Sequence, residues 1–136
     1  ANPTAATATC GPISDWDVSA ITDMSRLFFN LRNFDADVSK WDTSSVTDMS
    51  YLFYDSKNFN ADVSNWDTSS VTNMFLGVRM FMGTKAFNQP NQPLSFDTSS
   101  VTNMGYMFQQ AKAFNQPLSF DTSSVTSMRY MFLVAR

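Results

Sequence analysis

Glutamate and histidine are absent from the 136 residues, and cysteine occurs once, as Cys10. Without His, Glu or paired Cys, the usual nucleophile–base arrangements and zinc sites cannot be assembled, so an enzyme is not expected. A single thiol makes no intrachain disulfide, which leaves the redox compartment open. Nine Lys plus Arg stand against twelve acidic residues, all Asp, for a net charge of -3. No basic stripe breaks that balance, which argues against nucleic acid as a partner. No apolar run approaches the ~18 residues that span a bilayer. The opening "ANPTAATATCGPI" lacks the charged and apolar regions of a signal peptide and reads as the start of a mature or trimmed chain. No Asn-x-Ser/Thr acceptor occurs, because Asn2 is followed by Pro3.

Core-forming residues, by contrast, are plentiful. Hydrophobic residues make up 43% of the chain and thirteen are Phe, enough for one domain that buries roughly two thirds of its unfolded surface. The chain also repeats itself. Trp41 to Met49 reads "WDTSSVTDM" and Trp66 to Met74 reads "WDTSSVTNM". Aligned on the aromatic–Asp pair, Trp16-Asp17, Trp41-Asp42, Trp66-Asp67, Phe96-Asp97 and Phe120-Asp121 form one column with steps of 25, 25, 30 and 24 residues. A period of this size marks units that stack to bury a shared apolar face.

Within a unit, Val46, Met49, Leu52, Phe53 and Phe59, and again Val101, Met104, Met107, Phe108 and Phe114, have the spacing of a short helix facing a core. Ser44, Ser45 or Thr47 is placed to cap it, and Ser45 with Asp48 has capping-box spacing, although Ala20 replaces that Ser in the first unit. The preceding "ADVSKW" or "QPLSF" predicts a short strand. Leu94 and Phe96 are two apart, whereas Val38 and Trp41, and Val63 and Trp66, are three apart and demand a bulge or bend. The expected fold class is therefore an α/β solenoid of about 25 residues per turn, with one short strand and one short helix per unit. Residues 1–12 form an N-terminal extension or cap. Residues 13–136 form a single solenoid domain of four complete repeats and a truncated fifth, whose apolar end calls for a partner or a further segment. Unit three carries extra residues in "MFLGVRMFMG" and in the doubled "NQPNQP".

The words "WDTSSVTDMSYLF", "FNADVSNWDTSSVTNM" and "AFNQPLSFDTSSVTSMRYMF" resemble the repeat of the BspA-like, leucine-rich-repeat-related surface proteins, also known as a mycoplasma-type repeat of unknown function. The resemblance spans about residues 13 to 136. It implies a leucine-rich-repeat-like, right-handed solenoid, found often on bacterial surfaces and in unicellular eukaryotes including algae. It also implies adhesion or protein binding, and it supplies no catalytic residues and no cofactor.

Stacking at the strand spacing of about 5 Å turns positions into columns. Each carboxylate of Asp17, Asp42, Asp67, Asp97 and Asp121 is read as a turn cap; a row of cation sites is the sharper alternative, with no spacing that matches a calcium loop. The Thr columns (Thr43, Thr68, Thr98, Thr122; Thr22, Thr47, Thr72, Thr102, Thr126) are read as turn residues, and Asp35, Asn60, Asn88 and Asn115 as bonding their own return turn. The aromatic column and Met24, Met49, Met74, Met104 and Met128 are read as core. Phe75, Leu76, Val78 and Met82 lack counterparts and are candidates for exposure. These four, with Asn91 and Gln92 of the inserted loop and Asp37, Lys40, Asp62 and Asn65 of the strand face, are the candidate partner-binding residues; Gln89, Gln116 and Ser119 extend that face. The functional expectation is a non-catalytic protein- or glycan-binding module, extracellular or at the cell surface, with an organelle lumen or a membrane-associated assembly as other settings. The alternative is a structural subunit docked in a larger assembly through its last unit.

Overall fold

The structure, a computed structural model, describes residues 10–71, 79–88 and 94–135. Rings from successive units lie face to face. Phe28, Phe53, Phe81, Phe108 and Phe132 form one stack, with centroid steps of 5.4, 5.8, 5.6 and 5.6 Å. Phe34, Phe59, Phe87 and Phe114 form a second, at 6.0, 5.7 and 6.1 Å. The two stacks interlock within each unit, with Phe53 3.7 Å from Phe59 and Phe81 4.3 Å from Phe87. Trp41 on Trp66 (6.4 Å, 3°) and Phe96 on Phe120 (6.4 Å, 5°) complete the core from the aromatic–Asp column. Val38, Val46, Met49, Leu52, Val63, Leu94, Val101 and Met104 fill the spaces between the rings and are buried.

Among the described residues this spacing excludes the expected helix. Packed helices stand 8–10 Å apart, whereas rings stacked at van der Waals distance hold neighbouring backbones near the strand spacing. The backbone resolves the conflict by alternating its donors. Met24, Arg26, Phe28 and Asn30 donate N–H to the carbonyls of Asp48, Ser50, Leu52 and Tyr54 in the next unit, while Leu27, Phe29 and Leu31 close turns onto Met24, Arg26 and Phe28. A helix would consume every donor internally; turns leave alternate ones for the neighbouring unit. Arg26 and Asn30, Tyr51 and Asp55, Tyr106 and Gln110, and Tyr130 and Val134 accordingly adopt φ of 54–65°, which no α-helix tolerates. The Asp48 carboxylate, at capping-box spacing from Ser45, accepts from the Ser50 N–H at 2.8 Å and so holds a turn.

The expected strands are likewise replaced. Among the described residues the regular elements are a 3-10 turn at Ile13–Asp15 and two isolated parallel bridges, Asp23 with Asp48 and Asn103 with Ser127. The three-residue spacing of Val38 to Trp41 is a turn closed by the Trp41 N–H on the Val38 carbonyl (3.2 Å), and Val63 to Trp66 repeats it. Each indole Nε1 then reaches back along the stack: Trp41 to the Ile13 carbonyl (2.9 Å), Trp66 to the Val38 carbonyl (3.0 Å). Met128, read as core from its column, is 46% exposed.

Gly83 (φ 79°) occupies the column of Asn30, Asp55, Gln110 and Val134; a Cβ there would lie 3.1 Å from Asp55 Oδ1 and 3.2 Å from Asp55 Cα. Gly83→Ala is expected to cost about 1–2 kcal/mol in a urea titration, from a strained φ combined with crowding of a neighbouring backbone. Phe53, fully buried, touches the rings of Phe28, Phe34, Phe59, Trp66 and Phe81. Phe53→Ala should cost about 3–5 kcal/mol in the same titration. A loss below about 1 kcal/mol would mean that the ring stack does not carry the fold.

Candidate functional site

The Asp column holds turns. Asp17, Asp42, Asp67, Asp97 and Asp121 each accept the N–H of the Ser two residues on, at 2.8–3.1 Å. Ser19, Ser44, Ser69 and Ser99 add their hydroxyls at 2.6–2.7 Å. These bonds favour the charged form and hold all five carboxyls below their ordinary value. The serine hydroxyl acts most strongly at Asp17, Asp42 and Asp67, and the serine N–H at Asp97 and Asp121. Repulsion from neighbouring carboxylates opposes the effect at Asp42, Asp67 and Asp121 without reversing it. Among the described residues, no three Asp or Cys side chains converge as metal ligands.

The other polar columns bond between units. Thr43, Thr68 and Thr98 are buried and donate to the carbonyls of Asp67, Asp97 and Asp121. The Asn column was expected to bond its own turn; instead Asn60, Asn88 and Asn115 donate backbone N–H to the side-chain oxygens of Asp35, Asn60 and Asn88, one unit earlier. Amide and carboxylate thus form a rail along the stack.

The sequence-predicted binding residues fare unevenly. Phe75, Leu76, Val78, Asn91 and Gln92 lie outside the described residues, as do Gln89, Thr72 and Met74. Met82 has a counterpart after all: its carbonyl accepts from the Asp55 N–H as Tyr54's accepts from Asn30, and its side chain is half-buried. Asp37 and Asp62 lock turns by accepting from the N–H groups of Ser39 (3.0 Å) and Ser64 (2.8 Å). Lys40 and Asn65 are exposed beside them. Gln116, expected on the solvent side, is buried.

A column that the helical reading hid is the most distinctive surface. Each unit places Arg or Tyr at one outward position: Arg26, Tyr51, Arg79, Tyr106, Tyr130. The Arg26 guanidinium lies 5.2 Å from the Tyr51 ring centre, Arg79 lies 5.8 Å from Tyr51 and 4.8 Å from Tyr106, and Arg129 lies 4.7 Å from Tyr130. Tyr106 and Tyr130 are 5.2 Å apart. Phe29, 42% exposed, stacks on Tyr54 at 4.8 Å alongside. The positive φ at Arg26, Tyr51, Tyr106 and Tyr130 turns these side chains away from the core. The signal was present in "SRLF", "SYLF", "VRMF", "GYMF" and "RYMF", where a planar polar residue always precedes an apolar residue and Phe. Among the described residues, Asp55 pairs with Arg32 (3.8 Å) and Lys57 (3.9 Å), while Arg26, Arg79 and Arg129 form no ion pair.

The lowered carboxyls give a pH signature. A depressed folded-state pKa stabilises above the unfolded value of 3.8 and is lost as pH falls through the lowered values. The melting temperature should therefore hold between about pH 5 and 8 and drop below about pH 4. An Asp42→Asn, Asp67→Asn variant should lose part of that acid sensitivity. An unchanged acid limb would assign it to other carboxylates.

Among the described residues, no helix is long and apolar enough to cross a membrane. Comparison with curated proteins and with solved structures gives no match. One family model, described as "Mycoplasma protein of unknown function, DUF285", matches residues 3–94 and 79–136, so that the two overlapping segments together take in every unit of the repeat. The chain belongs to this family of repeat proteins.

Proposed function

We propose that the stacked units form a solenoid related to the BspA-like, leucine-rich-repeat-related surface proteins, and that it serves as a non-catalytic module binding a protein or a glycan outside the cell or at its surface. The observation that carries this reading is the outward Arg–Tyr column, a row of planar, adaptable side chains on a scaffold whose Asp, Thr and Asn columns are engaged in holding turns or joining units. Aromatic and Arg side chains dominate binding surfaces because they present large contact area and directional donors. The lack of Glu and His supports a binding role over a catalytic one.

A different observation favours the docked-subunit reading. Met128, Phe132 and Leu133 are 46%, 48% and 44% exposed, beside a shallow cleft of about 410 Å³ lined by Phe114, Leu118 and Phe132. Sedimentation separates the two: a monomer whose melting is independent of concentration removes the docked subunit, and concentration-dependent melting supports it.

The binding reading is tested by immobilising the chain against panels of purified extracellular proteins and of glycans. The expected result is saturable, reversible retention of members of one class, with no change in the ligand's mass. Retention of nothing in either panel, or chemical conversion of a retained ligand, overturns it.

A further inference from the structure

We propose that the Arg–Tyr column is a site for an acidic polysaccharide, a linear chain bearing a carboxylate or sulfate on alternate sugars; this rests on the binding-module reading and names its ligand. Three features point to this chemistry. The first is charge. On a chain of net charge -3, Arg26, Arg79 and Arg129 sit on one strip with no carboxylate partner among the described residues. Guanidinium forks match carboxylate and sulfate oxygens in geometry; tyrosine faces back Arg26 and Arg79, and Arg129 also gives one Nη2 donor to the Tyr130 hydroxyl at 3.0 Å.

The second is spacing. Tyr51 separates Arg26 from Arg79, and the pair Tyr106 and Tyr130 separates Arg79 from Arg129. The first two guanidiniums are thus roughly 10 Å apart, two strand spacings, comparable to the length of two sugar rings in an extended chain. One charge per two rings fits a polymer that is anionic at alternate sugars; a nucleic acid, charged at every residue, would call for denser cations.

The third is shape. The strip is long and outward-facing, with half-buried Tyr51, Tyr54 and Tyr106 and exposed Phe29 and Tyr130 as its apolar floor. The guanidiniums cover tyrosine faces, so the apolar contact with a sugar ring's C–H groups falls to the uncovered parts of Phe29 and Tyr130, 42% and 41% exposed. A protein partner would instead look for an enclosed pocket to take an anchoring side chain.

The test uses hyaluronate decasaccharide as the acidic probe, with dextran of matched length and single-stranded oligothymidylate as comparators, followed by calorimetry of the intact chain. Hyaluronate is expected to bind, with affinity falling at least tenfold as salt rises from about 0.05 to 0.5 M. Arg79→Gln should lower affinity about tenfold, whereas Lys112→Gln, an exposed cation elsewhere, should leave it unchanged. Arg26→Gln, on an exposed residue, repeats the test should Arg79→Gln melt early. Equal binding of dextran, preference for oligothymidylate, or equal loss in Lys112→Gln overturns the proposal. If hyaluronate fails while another ligand is retained in the panels, this inference falls and the binding-module reading stands. Retention of nothing removes both.

Discussion

Face-to-face stacking of phenylalanine rings from successive units is the contact on which the rest of the structure depends. A ring at 5.4–5.8 Å from its counterpart leaves space for one layer of backbone per unit. Burying each such ring is favourable by about 1.5–3 kcal/mol, and a well-placed aromatic pair adds about 0.5–1.5 kcal/mol. Because each interior ring has a neighbour on both sides, the contribution recurs along the stack. The unit is therefore constrained at its core to the spacing of a parallel sheet, although the described residues contain almost no sheet.

Polar chemistry follows from that constraint. With backbones one strand spacing apart, buried groups find their partners one unit away. Indole N–H, threonine hydroxyl and asparagine carbonyl each bond across the gap, and no buried side-chain donor or acceptor is left unsatisfied among the described residues. An unpaired buried group would cost about 1–3 kcal/mol. The columns of identical residues are thus explained by geometry before function. Aspartates at the corners solve a different problem, holding sharp turns by bonding two residues ahead, and their mutual repulsion is outweighed by bonds to the charged form.

Alternation of donors has a consequence for the surface. A residue whose N–H goes to the next unit and whose φ is positive directs its side chain outward. Arg26 and Tyr106 occupy such places, donating to Ser50 and Arg129, and Tyr51 and Tyr130 share their positive φ. Their left-handed conformation costs about 1–2 kcal/mol each for a residue with a Cβ, while Gly83 in the companion column shows how glycine avoids that cost. The outward column is the part of each unit that the core does not dictate, and it is where the units differ in charge.

What the residues alone determined was the period, the identity of the columns and which of them are core: the Trp41, Trp66 and Phe96 positions are buried, the Asp column caps turns, and the family match follows the same repeated words. These were legible because stacking forces equivalent residues into equivalent environments, so recurrence itself reports burial. The local conformation was not legible. Val46, Met49, Leu52 and Phe53 have helical spacing, yet a run of turns also sends them inward, and only the distance between units decides between the two. That distance is set by rings meeting across units, a tertiary contact. It alone turned Arg26, Tyr51, Arg79 and Tyr106 from unremarked positions on a supposed helix into neighbours on one face.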